Sequence, residues 1–258
     1  VHTVCSLFPN QFSRYFAFSI NVLAMAGILI MLFKIVKRIT KNNLYALIAT
    51  GAFAFSIACT TMTIYLRMYA TLTFFVLSMI YMNLKIFERK NTAKFTDFLI
   101  LGLITLLGTL TQYYFILFEG LTGLIMLVFQ IKERNIKDLI KYIITAVLGS
   151  AAALCIYPYI ITNVLGGNRG FGSLSISIDP ITVVTYFAYK IGTYIQVLAK
   201  DVFLNQIWLL ALCSVALIGF WIYLRFVRKE KLSRTAFMAF VPSLVYFVAI
   251  SLVSAFNS

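Results

Sequence analysis

The chain has 258 residues, of which 62% are hydrophobic and 12% are charged. This composition leaves too little polar surface to cover a water-soluble globule of that length, so a soluble fold is excluded. The net charge of +14 does not indicate a nucleic-acid partner, because the basic residues lie in short loops between apolar runs, where they set membrane topology. We therefore predict an all-α, polytopic transmembrane helix bundle.

Eight apolar runs of about 15 to 20 residues follow one another along the chain, each able to cross the hydrocarbon core of a bilayer. These runs are residues 15–33, 44–62, 68–84, 95–111, 116–130, 142–161, 206–224 and 235–254. A ninth segment, residues 181–200, carries Lys190 at its centre and three tyrosines. We predict that this segment is an amphipathic helix lying on the outer interface.

Four basic loops fix the predicted orientation. They are residues 34–43, 85–94, 131–141 and 225–234, and they hold all the lysines and arginines except Arg14, Arg67, Arg169, Lys190 and Lys200. By the positive-inside rule these loops face the cytoplasm, which leaves the five exceptions on the outer side. A full crossing by residues 181–200 would place the loop 225–234 outside, so the charge pattern argues for eight crossings.

We treat residues 1–258 as a single transmembrane domain and expect it to be the interior of a longer protein. The opening segment has neither the basic region nor the small-residue cleavage site of a signal peptide. The four cysteines are far apart and the single histidine is His2, so the sequence indicates no metal site, disulfide framework or cofactor.

Isolated polar residues mark the outer boundary of the predicted bundle. Lys85 and Lys94 belong to the inner loops. At about 1.5 Å per helical residue, Arg67 lies about 27 Å from Lys85, and Gln112 lies about 27 Å from Lys94. Arg67 and Gln112 are therefore predicted to lie at the outer boundary. Glu119 lies about 10 Å below Gln112 and thus within hydrocarbon. A carboxyl there is either functional or paired, with Arg67 or with Gln112 and Tyr113 as partners, or it is a neutral, hydrogen-bonded group between helices.

The outer residues have two interpretations. A lone arginine at a helix end can be a snorkelling anchor, tyrosines can form an interfacial belt, and the glycine-rich segment around Arg169 can be a flexible loop. Alternatively, outer cations and aromatic rings above an apolar bundle suit an anionic headgroup on a long hydrocarbon tail. Arginine fits that ligand because its planar guanidinium binds phosphate with two parallel hydrogen bonds.

Four short motifs occur in an order that resembles the polytopic GT-C glycosyltransferases of family 39, the dolichyl-phosphate-mannose-protein mannosyltransferase type, in bacterial form. The motifs are "VHTV" with His2, "YLRMYA" with Arg67 and Tyr69, "TQYYF" with Thr111, Tyr113 and Tyr114, and "YPYIITNVLGGNRGFG" with Tyr157, Pro158 and Arg169. The chain departs from the family pattern at Tyr65, where the family has an acidic residue, and at Gln112, where it has histidine. The family's catalytic aspartate lies in an outer loop, which we expect upstream of this chain.

The resemblance implies transfer of a sugar from a polyprenyl-phosphate donor to a glycan, lipid or protein acceptor, outside a bacterial plasma membrane. In this interpretation Arg67, Tyr69 and Arg169 bind the donor phosphate. The substrate pocket contains His2, Gln112, Tyr113, Tyr114 and Glu119. Two other classes stay open. A flippase or transporter of lipid-linked oligosaccharides would show broken helices and charges near the midplane, and a membrane scaffold would not need the outer cations.

The cytoplasmic position of residues 225–234 can be tested by labelling. In a variant whose native cysteines are replaced by serine, Lys229→Cys should not react with a membrane-impermeant maleimide added to intact cells. It should react after permeabilisation, which is the control for accessibility. Efficient labelling of intact cells would mean that this loop lies outside and that the predicted topology is wrong.

Overall fold

The computed structural model describes residues 10–64, 68–89, 92–166 and 180–203, together with isolated positions between 206 and 245. Regular structure in this part is helical throughout, which confirms the all-α prediction for the described residues. The helices are α1 (Asn10–Thr40), α2 (Asn43–Ala54), α3 (Ile57–Ile64), α4 (Tyr69–Arg89), α5 (Phe95–Thr111), α6 (Phe115–Lys132), α7 (Ile136–Ile156), α8 (Tyr159–Gly166) and α9 (Pro180–Val202). The predicted runs 206–224 and 235–254 lie largely outside the described residues.

Four helices in the described part are long and apolar enough to cross a membrane: Phe18–Thr40 within α1, and α4, α6 and α7. A fifth candidate is the pair α2 and α3, and α5 is a shorter apolar helix of 17 residues. These helices are compatible with a membrane protein. The segment predicted to lie on the interface is helical in α9, over 23 residues, and is not among the candidate spans.

One predicted run is broken in the structure. Residues 44–62 were predicted to form one helix, but α2 and α3 meet at an angle of 58°. The first helix ends where the N–H of Phe55 donates to the carbonyl of Gly51 (3.0 Å), and Ser56 lies buried in the break. Sharp bends of this kind occur where a side chain interrupts the helical hydrogen bonds. Hydropathy does not reveal the break, because the residues on both sides of it are apolar.

The basic loops are shorter than the sequence predicts, because α1 and α4 continue through them to Thr40 and Arg89. Basic residues in the last turn of a helix interact favourably with the negative end of the helix dipole, which stabilises these extensions. The chain then reverses tightly. Lys41 and Arg134, which follow α1 and α6, have left-handed backbone conformations with φ of 56° and 55°.

Short connections make α4, α5, α6 and α7 run alternately up and down. The basic ends of these helices therefore meet on one side, here called the inner end. The start of α4, the turn between α5 and α6, and the end of α7 meet on the other side, here called the outer end. These helices, with α1 and α2, lie in the compact unit Val1–Phe55 and Cys59–Ile160, whereas α9 lies in the unit Ser56–Ala58 and Ile161–Ser258.

A buried carboxylate joins α4 to α5 at the inner end. Asp97 is 1% exposed, and its two oxygens contact Lys85 Nζ at 2.7 Å and Arg89 Nη1 at 2.5 Å. The backbone N–H of Lys94 also donates to the carboxylate, at 3.3 Å, which caps the start of α5. A second ion pair, between Arg38 Nε and Glu88 Oε2 at 2.6 Å, joins the ends of α1 and α4. The inner end is thus held together by ion pairs.

Glycines allow α5 and α7 to pack with their backbones in close contact. A Cβ atom on Gly149 would lie 2.8 Å from the carbonyl oxygen of Gly102 and 2.9 Å from Thr105 Cγ2. A Cβ atom on Gly102 would lie 2.8 Å from Thr145 Cγ2. Small residues support helix packing in membranes in this way, because association there depends on van der Waals contact between closely spaced backbones.

We predict that Gly149→Ala lowers the free energy of unfolding by roughly 1 to 3 kcal/mol, because the new methyl group overlaps a backbone atom of α5. The matched control is Gly51→Ala on α2, where an added Cβ has no heavy atom within 4 Å. The measurement is thermal unfolding in detergent, followed by circular dichroism. Equal losses in both variants would contradict the close packing of α5 and α7.

Candidate functional site

Glu119 lies inside the bundle, 6% exposed, on the second turn of α6. Its carboxyl accepts two hydrogen bonds from neighbouring helices. Thr105 Oγ1 on α5 donates to Oε1 at 2.9 Å, and Ser150 Oγ on α7 donates to Oε2 at 3.1 Å. The carboxyl therefore joins three helices within the apolar part of the bundle. In the described part of the chain no lysine or arginine forms an ion pair with it.

The packing of α5 against α7 explains why both hydroxyl groups reach one carboxyl. Thr105 lies one turn beyond Gly102, and Ser150 directly follows Gly149, so the two hydroxyls lie beside the glycine contact. Each oxygen of the carboxyl then has one donor, which fixes the orientation of the side chain. A buried carboxyl without such donors would carry a large desolvation cost.

An open groove of about 460 Å³ runs between α6 and α7 next to this carboxyl. Its walls are mainly apolar and include Gly120 and Gly123 of α6 and Ala146 of α7. Glu119 and Ser150 are part of the same wall. The groove therefore connects the buried carboxyl with the apolar surroundings of the bundle.

Aromatic residues gather at the outer end. Gln112, Tyr113 and Tyr114 form the turn between α5 and α6, and the rings of the two tyrosines lie 4.4 Å apart between centroids. Phe115, at the start of α6, is buried, and its ring lies over Gly108, where a Cβ atom would be 2.6 Å away. This contact holds the turn close to the end of α5. The two tyrosines and Gln112 stay half-buried at the boundary.

The structure describes five of the eight residues that the sequence nominated for the site. Tyr69 is 48% exposed at the start of α4, so by connectivity it lies at the same end as the Gln112–Tyr114 turn. Glu119 lies below that turn. The remaining candidates, Arg67, Arg169 and His2, lie outside the described residues, and their roles stay predictions.

Two partners in the site were missed at the sequence level. The hydrogen bonds of Glu119 go to Thr105 and Ser150, whereas the sequence suggested Arg67, or Gln112 and Tyr113. The contacts match the alternative interpretation, a hydrogen-bonded carboxyl between helices. A signal was present in part, because Gly149 begins the small-residue stretch "GSAAA", whereas Gly102 stands among leucine and isoleucine residues with Thr105 three positions later. The sequence does not show that α5 packs against α7, so it did not identify Thr105 and Ser150 as the partners of Glu119.

The described residues include no group of three or more His, Cys, Asp or Glu that could hold a metal ion. Comparison with protein-family models, with curated proteins and with solved structures finds no match to this chain. The resemblance to family 39 glycosyltransferases therefore depends on the motifs quoted above.

We predict that Thr105→Val costs about 1 to 3 kcal/mol of stability, because it leaves one oxygen of Glu119 buried without its donor. The matched control is Thr145→Val on α7, since that hydroxyl donates to the carbonyl of Lys141 at 2.7 Å and not to Glu119. Thermal unfolding in detergent compares the two. Equal stabilities of the two variants would show that the Thr105 bond contributes nothing.

The variant Glu119→Gln tests whether the carboxyl of Glu119 acts in the bundle as a hydrogen-bonding group or as a negative charge. We expect this variant to stay within about 1 kcal/mol of the parent, because the amide still accepts from one hydroxyl and donates to the other. A loss of folding in Glu119→Gln would instead indicate a carboxylate paired with a cation beyond the described residues. The same unfolding measurement decides between these outcomes.

Proposed function

We propose that this chain is the membrane part of a glycosyltransferase that moves a sugar from a polyprenyl-phosphate donor to an acceptor on the extracytoplasmic face. The observation that carries the proposal is the difference between the two ends of the bundle. At the inner end, three of the described basic residues, Arg38, Lys85 and Arg89, form ion pairs with Glu88 or Asp97. The outer end presents tyrosines and an amide.

The outer turns suit an anionic headgroup. The turn Thr111–Phe115 and the connection after α7, Tyr157–Tyr159, contain no aspartate or glutamate. A phosphate at this level therefore meets no repelling carboxylate in these turns, and Glu119 lies about 6 Å deeper, at 1.5 Å per residue from the start of α6. Tyr69, Tyr113 and Tyr114 lie at this end of the bundle, and a tyrosine hydroxyl group is able to donate a hydrogen bond to a phosphate or sugar oxygen.

The sequence supplies the charge that such a site needs. Arg67 precedes the exposed Tyr69 by two residues, and Arg169 belongs to the glycine-rich outer segment. In the proposed reaction an acceptor hydroxyl loses its proton to a general base and attacks the sugar, and the polyprenyl phosphate leaves. Arg67 stabilises the negative charge on the leaving phosphate, because a positioned cation acts where charge develops.

The proposal includes a topology of eight crossings with α9 on the outer interface, in a bacterial plasma membrane. Within it, α5 crosses the membrane as a short span, and α2 and α3 together form one bent span. The runs 206–224 and 235–254 supply the last two crossings. Both ends of the chain then lie on the outer side, where the donor's sugar is transferred.

The break between α2 and α3 favours a second candidate, a flippase or transporter of lipid-linked oligosaccharides. Transporter sites are commonly built from discontinuous helices, and this pair is bent by 58°. The buried carboxyl of Glu119 lies toward the outer end and away from the midplane, which fits a transporter less well. Movement of a fluorescent lipid-linked sugar across proteoliposomes, without sugar transfer, would favour this candidate.

We predict that Arg67→Ala lowers donor affinity or turnover roughly ten- to a hundredfold, because a charge-assisted contact to phosphate contributes about 1.5 to 3 kcal/mol. Arg67→Lys should recover only part of the loss, since an ammonium group restores the charge without the two parallel hydrogen bonds. The assay is transfer from a radiolabelled polyprenyl-phosphate sugar in membranes that contain the full-length protein at matched levels.

The matched control is Lys137→Ala, which removes an exposed cation from the inner end and should leave transfer unchanged. If Arg67→Ala transfers sugar as fast as the parent, Arg67 is an interfacial anchor. If the parent itself transfers no sugar from any donor, the glycosyltransferase proposal fails.

A further inference from the structure

Buried polar side chains continue from Glu119 toward the inner end, in the interior between α4, α6 and α7. Asn83 on α4, Gln130 on α6 and Tyr142 on α7 are only 2% to 3% exposed. In the part of the chain that the structure describes, the side-chain amides of Asn83 and Gln130 and the hydroxyl of Tyr142 have no hydrogen-bond partner. Such groups destabilise an apolar interior unless a ligand or ordered water satisfies them.

These three side chains lie at successive levels below Glu119. The ring of Tyr142 packs beside Gly123, where a Cβ atom would lie 3.9 Å from Cε1, and Gly123 follows Glu119 by about 6 Å along α6. The Tyr142 hydroxyl faces the side-chain amide of Asn83. Gln130 lies on the same face of α6 as Glu119, about 16 Å farther toward the inner end. The polar interior therefore extends along most of α6.

At the inner end the polar groups continue to the surface. The carbonyl of Gln130 accepts from the backbone N–H of Asn135 at 2.9 Å. The side-chain amide of Asn135 donates to Oδ2 of the buried Asp138 at 3.1 Å. The other oxygen of Asp138 lies 3.8 Å from Nζ of Lys141, whose side chain is 51% exposed. A short series of polar side chains thus separates Gln130 from the water at the inner end.

Aromatic rings close the same interior toward the outer end. Phe115 and Phe118 are 0% and 1% exposed, and their ring centroids lie 6.0 Å apart. The ring of Phe115 also covers Gly108 on α5. Both rings precede Glu119 on α6, so apolar packing separates the carboxyl from the outer turn. A route for water to Glu119 therefore lies toward the inner end.

We propose that Asn83, Gln130 and Tyr142 bind a chain of ordered water molecules that connects Glu119 with the inner end. Water is the ligand that these groups favour, because two amides and a phenol offer hydrogen-bond donors and acceptors together, whereas a cation would require oxygen ligands alone. The water chain gives the buried carboxyl contact with the inner side while the outer side stays closed. This inference is independent of the proposed sugar transfer.

Radiolytic hydroxyl-radical labelling of the full-length protein in lipid nanodiscs tests the proposal, because radicals formed from a bound water oxidise the side chains beside it. We expect oxidation of Tyr142 although it is buried, and none of Phe115, which is buried among apolar groups. Leu124 is exposed on the wall of the groove between α6 and α7, so it reports water entering from the lipid-facing side and should stay unlabelled. Peptide mass spectrometry locates the oxidised residues.

Variants at the polar positions identify the residues that hold the water. Asn83→Leu should lower the oxidation of Tyr142 to the level of Phe115, because an apolar side chain of similar size displaces water without offering a hydrogen bond. Gln130→Leu should have the same effect, since it interrupts the route from the inner end. The matched control Asn83→Ser keeps a hydroxyl and leaves room for water, so Tyr142 should remain labelled.

The labelling of the parent protein decides the question even if a variant does not fold. An unlabelled Tyr142 would overturn the proposal, because the polar groups would then pair directly in a dry interior. Equal oxidation of Tyr142 and Phe115, or of Tyr142 and Leu124, would also overturn it, since water would then enter by other routes. Undiminished oxidation of Tyr142 in folded Asn83→Leu and Gln130→Leu would show that these amides do not hold the water.

Discussion

The contact between α5 and α7 is the constraint on which the rest of the described site depends. At Gly102 and Gly149 the two backbones approach so closely that a Cβ atom on either residue would overlap the facing helix. This approach brings Thr105 and Ser150 to the same carboxyl, that of Glu119 on α6. A carboxyl within hydrocarbon is tolerated only when such donors are present. The packing of α5 against α7 and the hydrogen bonds to Glu119 therefore depend on the same glycine contact.

The two ends of the bundle differ because they carry different chemistry. At the inner end, Asp97 binds Lys85 and Arg89, and this buried acid joins the end of α4 to the start of α5. Removing one member of such a buried group is costly, since a charge is left without its partner. At the outer end the described turns Thr111–Phe115 and Tyr157–Tyr159 contain tyrosines and no acidic residue.

The buried carboxyl and the open groove lie side by side on α6 but have different origins. The hydroxyl donors draw Glu119 into the interior, while the missing side chains at Gly120 and Gly123 leave space on the adjacent face of α6.

Composition and hydropathy were sufficient to predict that the described part of the chain forms apolar helices, because apolar runs of this length satisfy their backbone hydrogen bonds within a single helix. They also placed Glu119 inside the bundle. They could not predict the break at Ser56, since apolar residues on both sides conceal it, nor the hydroxyl partners of Glu119. Those partners come from α5 and α7, and only the tertiary structure determines which glycine surfaces meet, because many pairings of small-residue stretches are equally possible along a one-dimensional sequence.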